Sequence, residues 1–308
     1  MIKDLQKYDN ANGNYIVKAL TRGLGSNEKP YLNITLQDKT GALEGKKWDV
    51  QPGDEDIFAV GNIVYVEADC LEYKDKLQLK IKSGSKLDEN LVDVSDLIPV
   101  SKFSEEELIE KSRHFISQIR NPNIRKIVVE IIRIYKDKYI KYPAAVRNHH
   151  DTMRGLFEHS ISMAEIAEFL AKHYQDLDSD YLIAGALLHD IGKCEELSGF
   201  VATKYTTKGD LLGHIVIGAN IVNEVAKKLG IEGEESMILE HLILSHHGEL
   251  EFGSPVLPMT KEAVLLSMID NIDAKMKALE KAYEGIDEGE FTEKVFALGN
   301  RGFYNPKK

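Results

Sequence analysis

Sulfur, tryptophan and long apolar runs are what this chain of 308 residues has least of. Its two cysteines, Cys70 and Cys194, stand far apart. They offer neither a disulfide framework nor a thiolate metal site, and they fit a reducing cytoplasm. No stretch reaches the roughly 18 consecutive apolar residues that a membrane span requires. The opening MIKDLQKYDN lacks the apolar core of a signal peptide. A cytoplasmic protein without a membrane partner is therefore expected. Excess positive charge is also lacking. The net charge of −11 argues against tight, sequence-blind binding of long duplex DNA. The deficit is uneven: residues 1–86 hold 13 Lys/Arg and 13 Asp/Glu, so the remainder carries the whole acidic excess. An acidic half suits a metal-holding domain and does not exclude a local basic groove. The hydrophobic content of 43% is ordinary for a globular protein, and the length allows one large domain or two.

What the chain does have is histidine in a pattern. His159, the adjacent pair His189-Asp190, His214, the adjacent pair His246-His247 and Asp270 follow one another, and they take five of the ten histidines. Imidazole and carboxylate hold divalent metals, and a set this large can hold two, with Asp190 as the bridging carboxylate. Apolar residues at helical spacing predict helices over 155–174, 180–190, 211–229, 234–246 and 261–283, so the ligands would come from five helices. Neighbours on a helix point about 100° apart and can serve one centre only near a helix end. Both pairs fall there, before Ile191-Gly192 and before Gly248. His114, His149, His150, His173 and His241 read as surface or satisfied core residues.

The first part of the chain reads as β. Tyr31–Gln37 alternates, with Leu32, Ile34 and Leu36 on one face, and Asp38 to Gly41 is a turn into Ala42–Trp48. Asn14–Leu20, Ile63–Leu71 and Lys76–Lys82 complete five short strands, with Tyr73 and Lys74 at a hairpin tip. Five such strands fit a small closed barrel of the OB-fold kind. Residues 87–103 read as a linker. Ser104 to Glu107 is a capping box, and Asn121-Pro122 caps a further helix. The expected architecture is multidomain: an OB-fold barrel over 1–86, then an all-α bundle over 104–308.

The order H…HD…H…HH…D resembles the HD-domain metal-dependent phosphohydrolases, with His189-Asp190 extended to HDIGK by Ile191, Gly192 and Lys193. The resemblance implies His159, His189, Asp190 and Asp270 around one metal, and His214 and His246 with the Asp190 bridge around a second. It leaves His247 as a ligand or a substrate contact, and Asp273 as a supporting or surface residue. Oxygen and nitrogen donors without thiolate favour Mn²⁺, with Fe²⁺ or Co²⁺ as alternatives. Lys193 reads either as a phosphate contact and leaving-group acid or as a solvated helix-end lysine.

A barrel followed by an HD domain resembles the YhaM family of 3′-to-5′ exoribonucleases. The likeness rests on TRGLGSNEKPYLNITLQDKTGALEGKKWD (21–49), NHHDTMRGLFEHS (148–160), LLHDIGK (187–193), YTTKGDLLGHIVIG (205–218), SHHG (245–248), DNIDAKM (270–276) and LGNRGFYNP (298–306). Arg154 and Phe157 depart from the expected pattern, and both are expected beside the metal pocket. The family implies hydrolysis of single-stranded RNA, and by extension single-stranded DNA, to nucleoside 5′-monophosphates. OB-folds bind single strands through basic and stacking side chains. The candidates here are Arg22, Lys29, Tyr31, Lys46, Trp48, Lys80 and Lys82, although a bulge in the third strand would turn Trp48 into the core. Two other readings stay open. One is a small-nucleotide phosphohydrolase or cyclic-nucleotide phosphodiesterase with a regulatory or oligomerising barrel. The other is a single-strand DNA-binding replication protein. A homo-oligomer is compatible with each.

Overall fold

Alternating side chains in the first part of the chain do close a barrel. The computed structural model describes residues 1–25, 28–73, 76–88, 92–144, 152–201 and 203–307. Lys74, His149 and His150 lie outside them. The strands are β1 (Gly13–Leu24), β2 (Pro30–Asp38), β3 (Gly41–Lys47), β4 (Ile63–Tyr73) and β5 (Lys76–Lys86), with a short helix α1 (Asp54–Ile57) between β3 and β4. They close in the order β1-β2-β3-β5-β4, with β3 and β5 parallel and the other pairs antiparallel. This is the five-stranded OB-like arrangement. Leu32, Ile34 and Leu36 of β2 and Leu79 and Ile81 of β5 fill its interior. That is the period-2 pattern placing one face inward. The turn is fixed by Asp38, whose carboxylate accepts from the Thr40 backbone N–H at 2.7 Å and from Ile2 N–H at 2.6 Å.

The chain divides into two compact units, Met1–Val100 with Phe200–Thr203, and Ser101–Gly199 with Lys204–Lys308. The stretch expected as a linker carries structure of its own. Leu87 N–H reaches the Ile63 carbonyl at 2.9 Å, Lys39 pairs with Asp96 at 2.5 Å, and Leu97 and Ile98 are buried. Short apolar spacing in 87–103 gave no periodic signal for this.

The second unit is helical: α2 (Glu105–Gln118), α3 (Pro122–Lys141), α4 (Gly155–His173), α5 (Ser179–Leu188), α6 (Lys193–Glu196), α7 (Thr207–Leu229), α8 (Glu234–Ser245) and α9 (Lys261–Tyr283). The caps stand where the sequence puts them. Ser104 Oγ accepts from Glu107 N–H at 3.1 Å while Glu107 accepts from Ser104 N–H at 2.8 Å. Asn121 caps α3 ahead of Pro122. α5 is apolar on every side and buried, with Leu182, Ile183, Leu187 and Leu188 enclosed by the surrounding helices. Burying each such side chain contributes about 1.5–3 kcal/mol, so the helix that ends in His189-Asp190 is firmly held. Among the described residues, no helix is long and apolar enough to cross a membrane.

Candidate functional site

The rigid end of α5 places His189 and Asp190 at the centre of a histidine cluster. His159 comes from the second turn of α4, and Asp270 from the middle of α9. His246 and His247 follow the last turn of α8. His214 begins the second half of α7, after a break at Gly213 (φ 70°, ψ 155°). Gly192 makes the approach of these parts possible. A Cβ there would lie 2.0 Å from the His214 carbonyl oxygen and 2.7 Å from Gly218 N. No side chain fits that gap, so the glycine of HDIGK docks the doublet against α7.

The imidazoles share one orientation. His159 Nδ1 bonds Asp273 at 2.7 Å, and His189 Nδ1 bonds the Ala186 carbonyl at 3.0 Å. His214 Nδ1 bonds Glu196 at 3.1 Å, His246 Nδ1 the Ile243 carbonyl at 2.7 Å, and His247 Nδ1 the Phe252 carbonyl at 2.7 Å. With Nδ1 engaged by an acceptor, Nε2 is the atom left to ligate, the usual arrangement around a histidine-bound metal. Two groups of ligand atoms result: His159, His189 and Asp190, and His214, His246 and His247. Asp190 faces both. Its Oδ2 lies 3.3 Å from His189 Nε2 and 4.0 Å from His159 Nε2, while its Oδ1 lies 3.5 Å from His214 Nε2 and 3.8 Å from His246 Nε2. Asp270 Oδ1 is 3.2 Å from His159 Nε2. Atoms each about 2.1 Å from one metal stand about 3–4 Å apart, which these distances match.

Asp190 Oδ1, His214 Nε2 and His246 Nε2 are buried and have no hydrogen-bond partner in the protein. Three orphaned polar atoms converging on one place are costly unless a cation satisfies them. The residues present therefore fit a divalent metal, with room for two. The electrostatics agree. Burial opposes charge on Asp190, yet Lys193 and His189 beside it hold its carboxyl well below the usual carboxylate range. Burial, with His189 and His247 nearby, holds His246 well below the ordinary imidazole value, so its lone pair is free at neutral pH. Burial disfavours charge on His159 as well, but Asp270 and Asp273 raise it to about 10. Taking a metal there displaces a proton.

A cavity of about 380 Å³ opens over the cluster, lined by His159, Asp190, His246, His247 and Asp270 together with Lys193, Phe252, Asn271 and Lys275. Lys193 donates to Asp190 Oδ2 at 2.7 Å. Arg154 and Phe157, expected beside the pocket, do not line it among the described residues. Phe157 is buried against the Tyr139 ring at 5.0 Å, and Arg154 caps α4 with a left-handed φ of 69°. Cys194, next to Lys193, is buried, and burial pushes its thiol up, so it is no nucleophile at neutral pH.

Asp273, which the sequence left as a supporting or surface residue, supports His159 and also accepts from Ser162 Oγ. A second supporting carboxylate had no signal in the sequence. Glu196 is buried and accepts from both the backbone N–H of His214, at 2.9 Å, and its Nδ1. Glu196 and His214 are 18 residues apart and meet only because α6 folds onto α7. Losing such a partner costs about 10–100-fold in metal affinity. Glu196→Ala is expected to weaken the second of two metal-binding steps by that factor and to leave the first unchanged, as read by calorimetry.

On the barrel, Tyr31 and Trp48 meet with ring centroids 4.7 Å apart, and Lys46 Nζ lies 4.9 Å from the Tyr31 ring and 5.3 Å from Trp48. Trp48 is half exposed, so it faces outward. Opposite Tyr31 on β1 stands Gly23, where a Cβ would lie 2.4 Å from the tyrosine ring. The glycine lets the ring lie flat on the strand. Lys80 is exposed and is the register partner of Lys46. Lys29 is exposed too. Arg22 and Lys82 are occupied by carboxylates, Glu55 at 3.1 Å and Asp69 at 2.6 Å.

Residues 156–275 match the HD domain family, a span running from α4 into α9 and covering all seven candidate ligands. Over 292 residues the chain is 46% identical to the 3′-5′ exoribonuclease YhaM of Geobacillus sp. (strain WCH70), covering 94% of this chain and 90% of that protein. The chain belongs to the YhaM family. The likeness extends over the barrel as well as the helical unit. The HD domain implies dependence on divalent metal, in agreement with the donors brought together around Asp190.

Proposed function

We propose that this protein is a metal-dependent 3′-to-5′ exoribonuclease that hydrolyses single-stranded RNA to nucleoside 5′-monophosphates, with single-stranded DNA as a further candidate substrate. One observation carries the reading: the two oxygens of Asp190 face two separate groups of imidazoles beneath a cavity of about 380 Å³. Two bound cations would lower the pKa of attacking water and neutralise charge on the scissile phosphate. His159, His189, Asp190 and Asp270 would hold one, and His214, His246 and His247 with Asp190 would hold the other. Mn²⁺ is the metal we favour, with Fe²⁺ and Co²⁺ as alternatives, since none of the donors is a thiolate. Lys193 reaches into the same cavity and supplies a cation for the phosphate or a proton for the departing 3′ oxygen. The helical part, 104–308, does the chemistry. The barrel, 1–86, holds the strand. The cytoplasm is the compartment we infer.

The Tyr31–Trp48–Lys46 cluster favours a strand over a small nucleotide as substrate, since paired rings beside a cation are a base-stacking platform. Trp48→Ala is expected to weaken binding of a long single-stranded RNA about tenfold, the scale of roughly 1–3 kcal/mol per stacked base. Fluorescence anisotropy with labelled RNA reads this, and unchanged affinity would remove the barrel face from the reading. The activity itself is tested with metal-loaded protein and 5′-labelled RNA, DNA and a panel of nucleotides. The expected result is a ladder shortening from the 3′ end. Turnover of the nucleotides alone would favour the phosphohydrolase reading.

A further inference from the structure

The cavity over the metal residues has a wall that the exonuclease chemistry does not account for. Phe252 follows α8 in the short segment Leu250–Phe252 and is 59% exposed, although it is a large apolar side chain. It lines the same cavity as His159, Asp190, His246 and Asp270. Among the described residues lining that cavity, it is the one aromatic side chain other than the histidines. Its backbone carbonyl accepts the Nδ1–H of His247 at 2.7 Å. The Phe252 backbone is thereby tied to the second group of imidazoles. Lys193 and Lys275 line the cavity as well, supplying positive charge for a phosphate. The volume of about 380 Å³ lies near the lower end of the roughly 300–1,000 Å³ of small-ligand pockets.

We propose that Phe252 is the platform on which the base of the 3′-terminal nucleotide stacks, so that it fixes the terminal phosphodiester over Asp190. The inference rests on the exoribonuclease reading. Every base has an apolar π-face, so a ring at this place binds the terminal nucleotide without regard to its identity. Stacking also covers a ring that is otherwise left in water. The His247 bond ties that platform to the metal residues, so base position and bond position are set by one segment of backbone.

The test compares RNA with an intact 3′-terminal nucleotide and RNA whose 3′-terminal nucleotide is abasic. Phe252→Ala is expected to raise KM for intact ends about tenfold, and Phe252→Tyr and Phe252→Trp to restore it within about twofold, since stacking is worth roughly 1–3 kcal/mol per base. On abasic ends the alanine substitution should cost at least about fivefold less than on intact ends, because there is no base to lose. Equal cost on both ends, or failure of the tyrosine and tryptophan variants to rescue, overturns the assignment. A binding arm separates this from failure of the exoribonuclease reading. With metal-loaded protein, Phe252→Ala should weaken adenosine 5′-monophosphate and not ribose 5-phosphate in calorimetry. If the wild type degrades no RNA, the activity assignment fails while this arm still decides for or against the platform. Equal loss for both ligands decides against it.

Discussion

Asp190→Ala should leave a folded protein with hydrolysis reduced on the order of 10³-fold or more, the scale on which one preorganised electrostatic group is worth in catalysis. The carboxylate is 3% exposed and its two oxygens face different imidazole groups, so its removal loosens both at once. No neighbour can replace it. Asp270 lies by His159 at 3.2 Å, and Asp273 is committed to the far side of the same ring at 2.7 Å. The fold does not depend on it, because α5 is anchored by Leu182, Ile183, Leu187 and Leu188. Removing the charge does leave Lys193 without its partner at 2.7 Å, and a buried unpaired cation is destabilising. Asp190→Asn keeps the shape and an acceptor for that lysine, so it should melt closer to the wild type while remaining inactive. Metal-replete assays, metal content by mass spectrometry and thermal melts read the three effects. Wild-type activity in the purified alanine variant would end the dinuclear reading.

Much of this was legible in the sequence, for physical reasons that differ by element. β2 alternates strictly, and the interior of a barrel accepts only one face of it, so Leu32, Ile34 and Leu36 could be placed directly. The candidate ligands stood out because a series of histidines and aspartates spread over five helices, with both adjacent pairs at helix ends, has no cheaper explanation than a metal. The helix starts at Ser104 and Asn121 are local hydrogen-bond patterns, and local patterns survive folding. The misses have the opposite character. Glu196 supports His214 through tertiary packing across 18 residues, where no periodicity operates. Phe157 reads as a pocket residue only from its place in a motif; in the structure its ring packs on Tyr139, one helix away. Residues 87–103 look like a linker because the pairing of Asp96 with Lys39 spans 57 positions. For Arg22 and Lys82, sequence gives the charge but not the carboxylates, Glu55 and Asp69, that meet it.

A circular single-stranded RNA should survive under conditions that reduce its linear form to mononucleotides. The cavity over Asp190 measures about 380 Å³ and is bounded by Phe252 and Lys193 as well as by residues of α9. On the exoribonuclease reading one nucleotide occupies it. A 3′ end would enter and place its last phosphodiester beside the metal residues. An internal bond would have to bring a nucleotide on each side into the same space. Its phosphorus would then sit away from the position set by Asp190, and misplacement by about an ångström already costs on the order of 10²-fold in rate. Circles should therefore react at least that much more slowly. On the same reading a linear RNA with a stable hairpin at its 5′ side should shorten from the 3′ end and stop near the stem. A gel with 5′-labelled linear and internally labelled circular RNA of one sequence gives both readings. Appearance of a full-length linear product from the circle would mean that the site admits internal bonds, and the requirement for a 3′ end would have to be abandoned.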